Sequence, residues 1–429
     1  MTLTPDDYMP RLIDQVIAKR MRSCGAVYIK GPKYSGKTWT ARNNSRSAYN
    51  LEDPREDYRN RRLARFDPFS VLEGDEPRMI DEWQTVPAIW DAVRQTVDGG
   101  SGKGRFILCG SSTPDDEGSS GLHTGFGRIC TLHMHTMSLF ETGDSDGSVS
   151  LYGMFEGDDV RTASKETSLE QIASYIVRGG WPANLGLDPE DASNAAESLI
   201  DEIVENDLPR ISPGANEGTM RRLIRSLARN ESTLATDKTI RSDMRRFPDD
   251  GVIDQSTLVK YESILRRLNL IEEQPAFNPN LRSSVRVGKS PKRHLADPSL
   301  AASALNVGPK ALLRDHETLG FLFESLCQHD LRIYAETLGG RLHHYRDADG
   351  REIDAVVELR DGRWGAFEIK LTGIGIDESA HNLARISEYI SRDPGATPPT
   401  FLCVICGTEP FAYRREDGVY VVPITSLRE

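Results

Sequence analysis

Ala26–Asn43 carries the sequence AVYIKGPKYSGKTWTARN. An apolar run suited to a buried strand ends at Lys30, a glycine-bounded turn follows, and a helix-compatible segment opens at Lys37. Gly31-Pro-Lys-Tyr-Ser-Gly36-Lys37-Thr38 satisfies the GxxxxGK[ST] pattern in a strand–turn–helix setting that a chance glycine turn lacks. Such glycines let successive N–H groups turn inward around phosphate oxygens, and the helix N-terminus adds a favourable dipole. Gly31, Lys33, Ser35, Gly36, Lys37 and Thr38 are therefore expected to bind ATP. Lys37 is expected to reach the β- and γ-phosphates and act in catalysis, while Thr38 places its hydroxyl on Mg²⁺.

Strand-like segments follow at SAYNLEDP, PRMIDEW and GRFILCGSS, with helical stretches such as VPAIWDAVRQTV between them. Alternating strands and helices imply a parallel sheet covered on both faces. PRMIDEW places Asp81 and Glu82 at a strand end. An acidic pair in that place is often surface decoration, but beside a P-loop it suits Mg²⁺ and water. Asp81 is expected in the Mg²⁺ shell and Glu82 as general base for an attacking water. Ser111, at the tip of the next strand, is expected to orient that water or touch the γ-phosphate. Arg128 is expected to stabilise transition-state charge, in cis or from a neighbouring subunit; its bland alternative is a solvated charge. His133 and His135 alternate as strand residues do, which favours packing over metal binding.

The bulk numbers set wider bounds. A chain of 429 residues is too long for one ordinary core and predicts roughly two to four domains. A net charge of -12 argues against coating nucleic acid along the whole length, but not against a local basic face. The start, MTLTPDDYMPRLID, lacks the basic and apolar regions of a signal peptide, and no run is apolar enough to span a bilayer. The six scattered cysteines are expected to be reduced, in a cytoplasmic protein. CVIC is read as part of a buried strand, because no second Cys or His pair stands at ligand spacing.

Further along, residues 166–210 read as helical, with Gly179 and Gly180 as a helix stop. MRRLIRSLARN, KTIRSDMRRF and DQSTLVKYESILRRLNLIEE are three amphipathic segments before a β-prone tail, which suggests a winged helix. Between Glu217 and Arg293 there are 16 Lys/Arg against 10 Asp/Glu, a local net of +6. From about residue 310 helix and strand alternate again.

Within that last block, Arg351–Lys370 reads REIDAVVELRDGRWGAFEIK, a hairpin turning at Asp361-Gly362. Period-two alternation points Glu368 and Lys370 the same way, and pairing outward from the turn leaves Asp354 within a residue or so of Glu368. Two carboxylates holding Mg²⁺ and a lysine orienting water can hydrolyse a phosphodiester. Glu324, from GFLFESLCQHDL, is expected to add a carboxylate, and Glu352 is an alternative to Asp354. Thus Glu324, Asp354 and Glu368 are candidate metal ligands, and Glu368 and Lys370 candidate catalytic groups. A cross-strand salt bridge explains the same spacing and is worth only about 0–1 kcal/mol when exposed.

Taken in order, YMPRLID, GPKYSGKT, MIDEWQTVP, GRFILCGSS, GRICTLHMHTMSLFE, RGGWP and the final E-x-D…E-x-K hairpin resemble a prokaryotic family of AAA-like P-loop ATPases. Its members carry a C-terminal PD-(D/E)xK nuclease-like domain of unknown function. The resemblance covers essentially the whole chain and is most specific at the P-loop and the hairpin. It implies an α/β multidomain protein: an AAA-like ATPase domain (1–150), a helical lid (151–214), a winged helix-turn-helix (215–300) and a restriction-endonuclease-like α/β domain (301–429). It also implies ATP and Mg²⁺ as cofactors and double-stranded DNA as a partner, with oligomerisation open. Two functions compete: an ATPase driving a DNA-binding, metal-dependent nuclease domain, and an ATP-dependent switch that binds DNA or protein without cleavage. A small-molecule kinase fits less well, because the chain is longer than such an enzyme needs.

Overall fold

The apolar run before the first motif glycine folds as a strand because each of its faces meets a core. In the computed structural model, which describes residues 3–100, 102–110, 127–245 and 252–429, this strand lies inside a parallel sheet. The chain divides into two units: Met1–Thr136 with Trp181–Ala183 and Leu265–Leu270, and Met137–Gly180 with Asn184–Ile264 and Ile271–Glu429.

The first unit runs α1 (Leu12–Met21), β1 (Ala26–Lys30), α2 (Lys37–Asn43), β2 (Ser47–Asn50), α3 (Arg55–Phe66), β3 (Arg78–Asp81), α4 (Ala88–Asp98), β4 (Phe106–Gly110) and β5 (Ile129–His133). Its five strands are ordered β2-β3-β4-β1-β5, and all neighbours are parallel. Alternate residues feed two cores. Ala26 and Tyr28 join Ile80, Trp83, Ile89 and Phe106 on one face, and Val27 and Ile29 join Ile17, Met79, Ile107 and Leu132 on the other. This is the doubly covered parallel sheet expected from the alternating segments.

Register decides what lies at each end of the sheet. Lys30 pairs with Gly110 and Asp81 with Cys109, so β1, β3 and β4 release their chains at one edge. Ile129 pairs with Ala26, the first residue of β1, so Arg128 stands at the opposite edge. There its Nε lies 2.6 Å from Asp98 Oδ1. The expected action of Arg128 in cis is thereby corrected, since five strand residues at roughly 3.3 Å each separate it from the P-loop. A second correction concerns the cysteines: Cys24 and Cys130 form a disulfide with a Cα–Cα distance of 6.0 Å. Cys130 pairs with Val27 across β1 and β5, so strand register brings together thiols that lie 106 residues apart in the chain. Cys109, Cys327, Cys403 and Cys406 are free and buried, and the last two lie in a strand as the CVIC reading expects.

The second unit begins with β6 (Val149–Ser150), α5 (Leu151–Glu156), β7 (Arg161–Ala163), α6 (Leu169–Arg178), α7 (Pro189–Glu202), α8 (Leu208–Ile211), α9 (Glu217–Arg229), α10 (Asp237–Asp243) and α11 (Gln255–Arg267). Helix α6 starts on a capping box at Ser168 and Gln171 and stops at Gly179, whose φ of 65° favours glycine. Then come β8 (Ile271–Gln274), α12 (Val285–Gly288), β9 (Lys292–Leu295), α13 (Pro298–Ala304), α14 (Pro309–Leu312) and α15 (His316–Thr337). The chain ends with β10 (Arg341–Arg346), β11 (Glu352–Glu358), β12 (Trp364–Lys370), α16 (Ile376–Ser391), β13 (Phe401–Cys406), β14 (Phe411–Arg414), β15 (Tyr420–Pro423) and β16 (Leu427–Arg428).

A seven-stranded sheet, ordered β10-β11-β12-β13-β15-β14-β7, organises this unit. The pairs β10–β11 and β11–β12 are antiparallel. The crossover through α16 makes β12 and β13 parallel. Leu383, Ile386 and Ile390 of α16 pack with Val356, Trp364 and Val404 of the sheet. The expected helical lid over 151–214 is corrected at its start. β7 is an edge strand of the large sheet, and β6 pairs with β16. These partners lie some 250 residues or more further along, beyond the reach of local pattern.

His343 and His344 of β10 are buried, and burial pushes each down to about 4. An unfolded histidine titrates near 6.5, so the native unit binds fewer protons between these values. Its stability is complete above about pH 6.5 and falls as the pH drops toward 4, by up to roughly 3 kcal/mol per histidine. Denaturant unfolding measured from pH 7 to 4 is expected to show this loss, and His343→Gln with His344→Gln to flatten it.

Candidate functional site

The P-loop glycines have separate geometric jobs. A Cβ on Gly31 would lie 2.1 Å from the Met134 carbonyl oxygen, so only glycine lets the loop pass the end of β5. Gly36 precedes α2 with φ 98°, a left-handed conformation that glycine adopts without strain. Ser35 is fully buried and its hydroxyl donates to Pro32 O at 3.0 Å. Lys37 is also buried, and its ammonium donates to the same carbonyl at 2.6 Å. Burial pushes Lys37 down to about 8, against the pull of Glu82, Cys109 and Asp81, while the nearby Lys33 pushes the same way as burial.

Thr38 and Asp81 come together, with the threonine hydroxyl 3.3 Å from Asp81 Oδ1. A hydroxyl and a carboxylate oxygen at this separation suit two adjacent corners of an oxygen octahedron, so this donor set fits Mg²⁺. Asp81 is 5% exposed, and burial raises its carboxyl above the ordinary range. Glu82 follows it with φ 54°, an uncommon backbone for a residue with a side chain. Its carboxyl is raised by burial first and by Asp81 second. Ser111 lies outside the described residues.

Three contributors escaped the sequence reading. Cys109 donates its S–H to Asp81 Oδ1 at 2.9 Å, a contact set by the Asp81–Cys109 register. Gln84 donates to Glu82 Oε2. Its side chain fills the space above Gly110, where a Cβ would sit 2.1 Å from Gln84 Oε1. Arg11, buried just before α1, donates to Ser35 O at 2.8 Å and to His135 O at 2.9 Å. It ties the P-loop to the segment after β5. YMPRLID contained this arginine, but nothing local showed what it would grip.

The second candidate site lies on the hairpin. Ala355 pairs with Phe367, so one step further places Asp354 opposite Glu368. The turn forms at Arg360–Gly362, with Gly362 at φ 88°. Asp354 Oδ2 accepts Ile369 N at 2.9 Å, and Glu368 Oε1 accepts Asn382 Nδ2 at 3.1 Å. Lys370 Nζ lies 3.6 Å from Glu368 Oε2. Glu324 arrives from α15, and burial followed by the Asp354 charge pushes it up to about 8. Glu368 is pushed up to about 8 by the same two causes in the same order. Glu368 and Lys370 face a cavity of about 880 Å³ that His381, Asn382 and Arg385 also line.

One residue here is absent from the sequence expectation. Lys292 of β9 reaches into the acid cluster, 3.1 Å from Glu324 Oε1 and 3.2 Å from Glu352 Oε1. Burial opposes its charge, yet Glu324, Asp354 and Glu352 hold its ammonium above the ordinary value. Nothing in the +6 count between Glu217 and Arg293 distinguishes it from fifteen other cations. As folded, Glu324, Asp354 and Glu368 do not bring oxygens within 4.8 Å of one another as a set, so these three do not form one closed metal site.

Residues 24–143 match the family described as an AAA domain, and the chain carries an AAA-type ATPase domain. Residues 169–311 and 319–427 match two domains of unknown function, DUF8612 and DUF4143. Uncharacterised proteins of Mycobacterium tuberculosis and Mycobacterium bovis are each 24% identical over 362 residues, covering 83% of this chain and 72% of the relative. Among solved structures, a Walker-type ATPase of Pyrococcus abyssi has a TM-score of 0.43 at 13% identity, over 71% of this chain and 97% of that one. The ORC2 protein of Aeropyrum pernix has 0.32 at 13% identity, over 73% and 98%. Among the described residues no helix is long and apolar enough to cross a membrane.

Arg11→Ala is expected to free the P-loop from its anchor and weaken nucleotide binding roughly tenfold, about 1.4 kcal/mol. Titration with a fluorescent ATP analogue measures this, and Arg11→Lys should recover part of the loss.

Proposed function

We propose that this chain hydrolyses ATP at the edge where β1, β3 and β4 end, and couples turnover to a C-terminal, nuclease-like domain that acts on double-stranded DNA. The observation that carries the ATPase reading is Thr38 Oγ1 at 3.3 Å from Asp81 Oδ1, with the Glu82 charge acting on Lys37. Mg²⁺ held by Thr38 and Asp81 would neutralise phosphate charge. Lys37 leaves Pro32 O for the β- and γ-phosphates, and Glu82, raised by burial, takes the proton of the attacking water. Gln84 orients the Glu82 carboxylate through its amide. Arg128 lies at the far edge of the sheet, so it contributes only in an oligomer, from a neighbouring copy.

The order α15, β10, β11, β12, α16, β13, with carboxylates on β11 and β12, supports the PD-(D/E)xK reading of the last domain. Helices α9–α11 followed by the β8–β9 hairpin support the winged-helix reading, and the local net of +6 suits a DNA-facing surface. A second reading, an ATP-dependent switch that binds DNA or protein without cleavage, is favoured by one observation: the Lys292 ammonium stands among the acids.

Steady-state ATPase assays are expected to show Lys37→Ala slowed by on the order of 100-fold or more. Glu82→Gln should still bind ATP in a filter assay yet fail to hydrolyse it. Normal turnover in either variant contradicts these roles. DNA incubation with Mn²⁺ separates the two readings, because cleavage that Glu368→Ala abolishes belongs to the first and no cleavage to the second.

A further inference from the structure

We infer that Gln84 is a further catalytic residue of the ATPase site, its side-chain oxygen holding the attacking water while Glu82 takes the proton. The inference rests on the reading of Glu82 as general base. Glu82 adopts a left-handed backbone, with φ 54°, and a short 3-10 turn over Trp83–Thr85 follows it. The turn drives Trp83 into the core and leaves its two neighbours half-buried on the same side. Their side chains meet there, where Gln84 Nε2 donates to Glu82 Oε2. An ionised carboxylate only accepts, so the amide nitrogen faces Glu82 and the amide oxygen turns the other way. That oxygen lies against Gly110, where a Cβ would stand 2.1 Å from it. Gly110 ends β4 and pairs with Lys30, the residue before the first P-loop glycine.

Gln84 Oε1 is buried, yet among the described residues no donor meets it. A buried amide oxygen without a donor is unfavourable, so this atom asks for a ligand that donates. Orienting Glu82 uses the nitrogen alone and leaves the oxygen unexplained. A water molecule has two hydrogens, and the pair offers two acceptors, the Glu82 carboxylate and Gln84 Oε1. Holding both hydrogens turns a lone pair of the water toward the γ-phosphorus. The water oxygen then bonds to that phosphorus as the bond from phosphorus to the β,γ-bridging oxygen breaks. The bridging oxygen leaves with the electron pair on ADP. Glu82 takes one proton, and the hydrogen held by Gln84 stays on the new inorganic phosphate. Gly110 belongs to the arrangement, because any side chain there would push the amide oxygen from its place.

The test uses the full chain with Mg²⁺ and measures turnover, ATP affinity and affinity for ADP with aluminium fluoride, which mimics the phosphoryl group in flight beside its water. Gln84→Met keeps the length and loses the amide. It is expected to lower kcat at least about 100-fold while changing KM and ATP affinity less than about twofold. A role confined to orienting Glu82 vanishes once that carboxylate has gone, so a double variant separates the two roles. Glu82→Gln with Gln84→Met is expected to bind ADP and aluminium fluoride about tenfold more weakly than Glu82→Gln alone. Equal affinities overturn the inference, as does normal turnover in Gln84→Met. Should Gln84→Met not fold, Gly110→Ala, which displaces Oε1 and keeps both side chains, is judged by the same measurements. A wild type that neither hydrolyses ATP nor takes up aluminium fluoride removes the ATPase reading and the inference together. A failure confined to the Gln84 comparisons removes the inference alone.

Discussion

The ion pair between Lys292 and Glu324 ties β9 to α15 inside the larger unit. A carboxylate withdrawn from water costs several kcal/mol unless a counter-charge or good hydrogen bonds answer it. Glu324, Asp354 and Glu368 come from one helix and two strands; the buried Lys292 contacts Glu324 and its charge acts with that of Asp354, while Lys370 lies 3.6 Å from Glu368. Asp354 is further fixed by Ile369 N, and Glu368 by Asn382, which in turn accepts from Arg385 at 2.9 Å. Each acid is thus locked in place by a different element. That is why a site assembled from distant parts of the chain still has one geometry.

The ATPase unit solves the same problem differently. Among the described residues Lys37 is buried without a salt-bridge partner in contact; its ammonium rests on a backbone carbonyl of its own loop. Asp81 is answered by hydroxyl and thiol donors, Thr38 and Cys109, rather than by a cation. Such groups cost little to rearrange. A polyphosphate entering the loop meets a lysine that need only leave a carbonyl.

Legibility in the sequence followed the range of the interactions. The P-loop, the acidic strand end and the Asp354–Glu368 juxtaposition were readable because each follows from local pattern: glycine at fixed spacing, alternation in a strand, a turn at Asp361-Gly362. Whether Arg128 could act in cis or only from a neighbouring subunit was not readable, because its distance from Gly31 depends on which end of β5 meets β1, a question of register rather than composition. The Cys24–Cys130 disulfide and the anchoring of Arg11 depend on the same strand pairing. Lys292 could not be singled out because its role comes from where the β8–β9 hairpin docks, and in sequence it is one basic residue among sixteen.

The edge strand β7 has a consequence for the order in which the molecule can be made. Every strand of the first sheet is synthesised by His133, so that sheet can assemble while most of the chain is still to come. The large sheet is different: β7 waits for β14 at Phe411–Arg414, and β6 waits for β16 at Leu427–Arg428. Strands β6 and β7 therefore emerge from the ribosome without these partners and stay so until Phe411–Arg428 has been made. The five-stranded sheet can pair early during translation, although its unit also takes in Trp181–Ala183 and Leu265–Leu270, while the large sheet is completed only once β14 has been made.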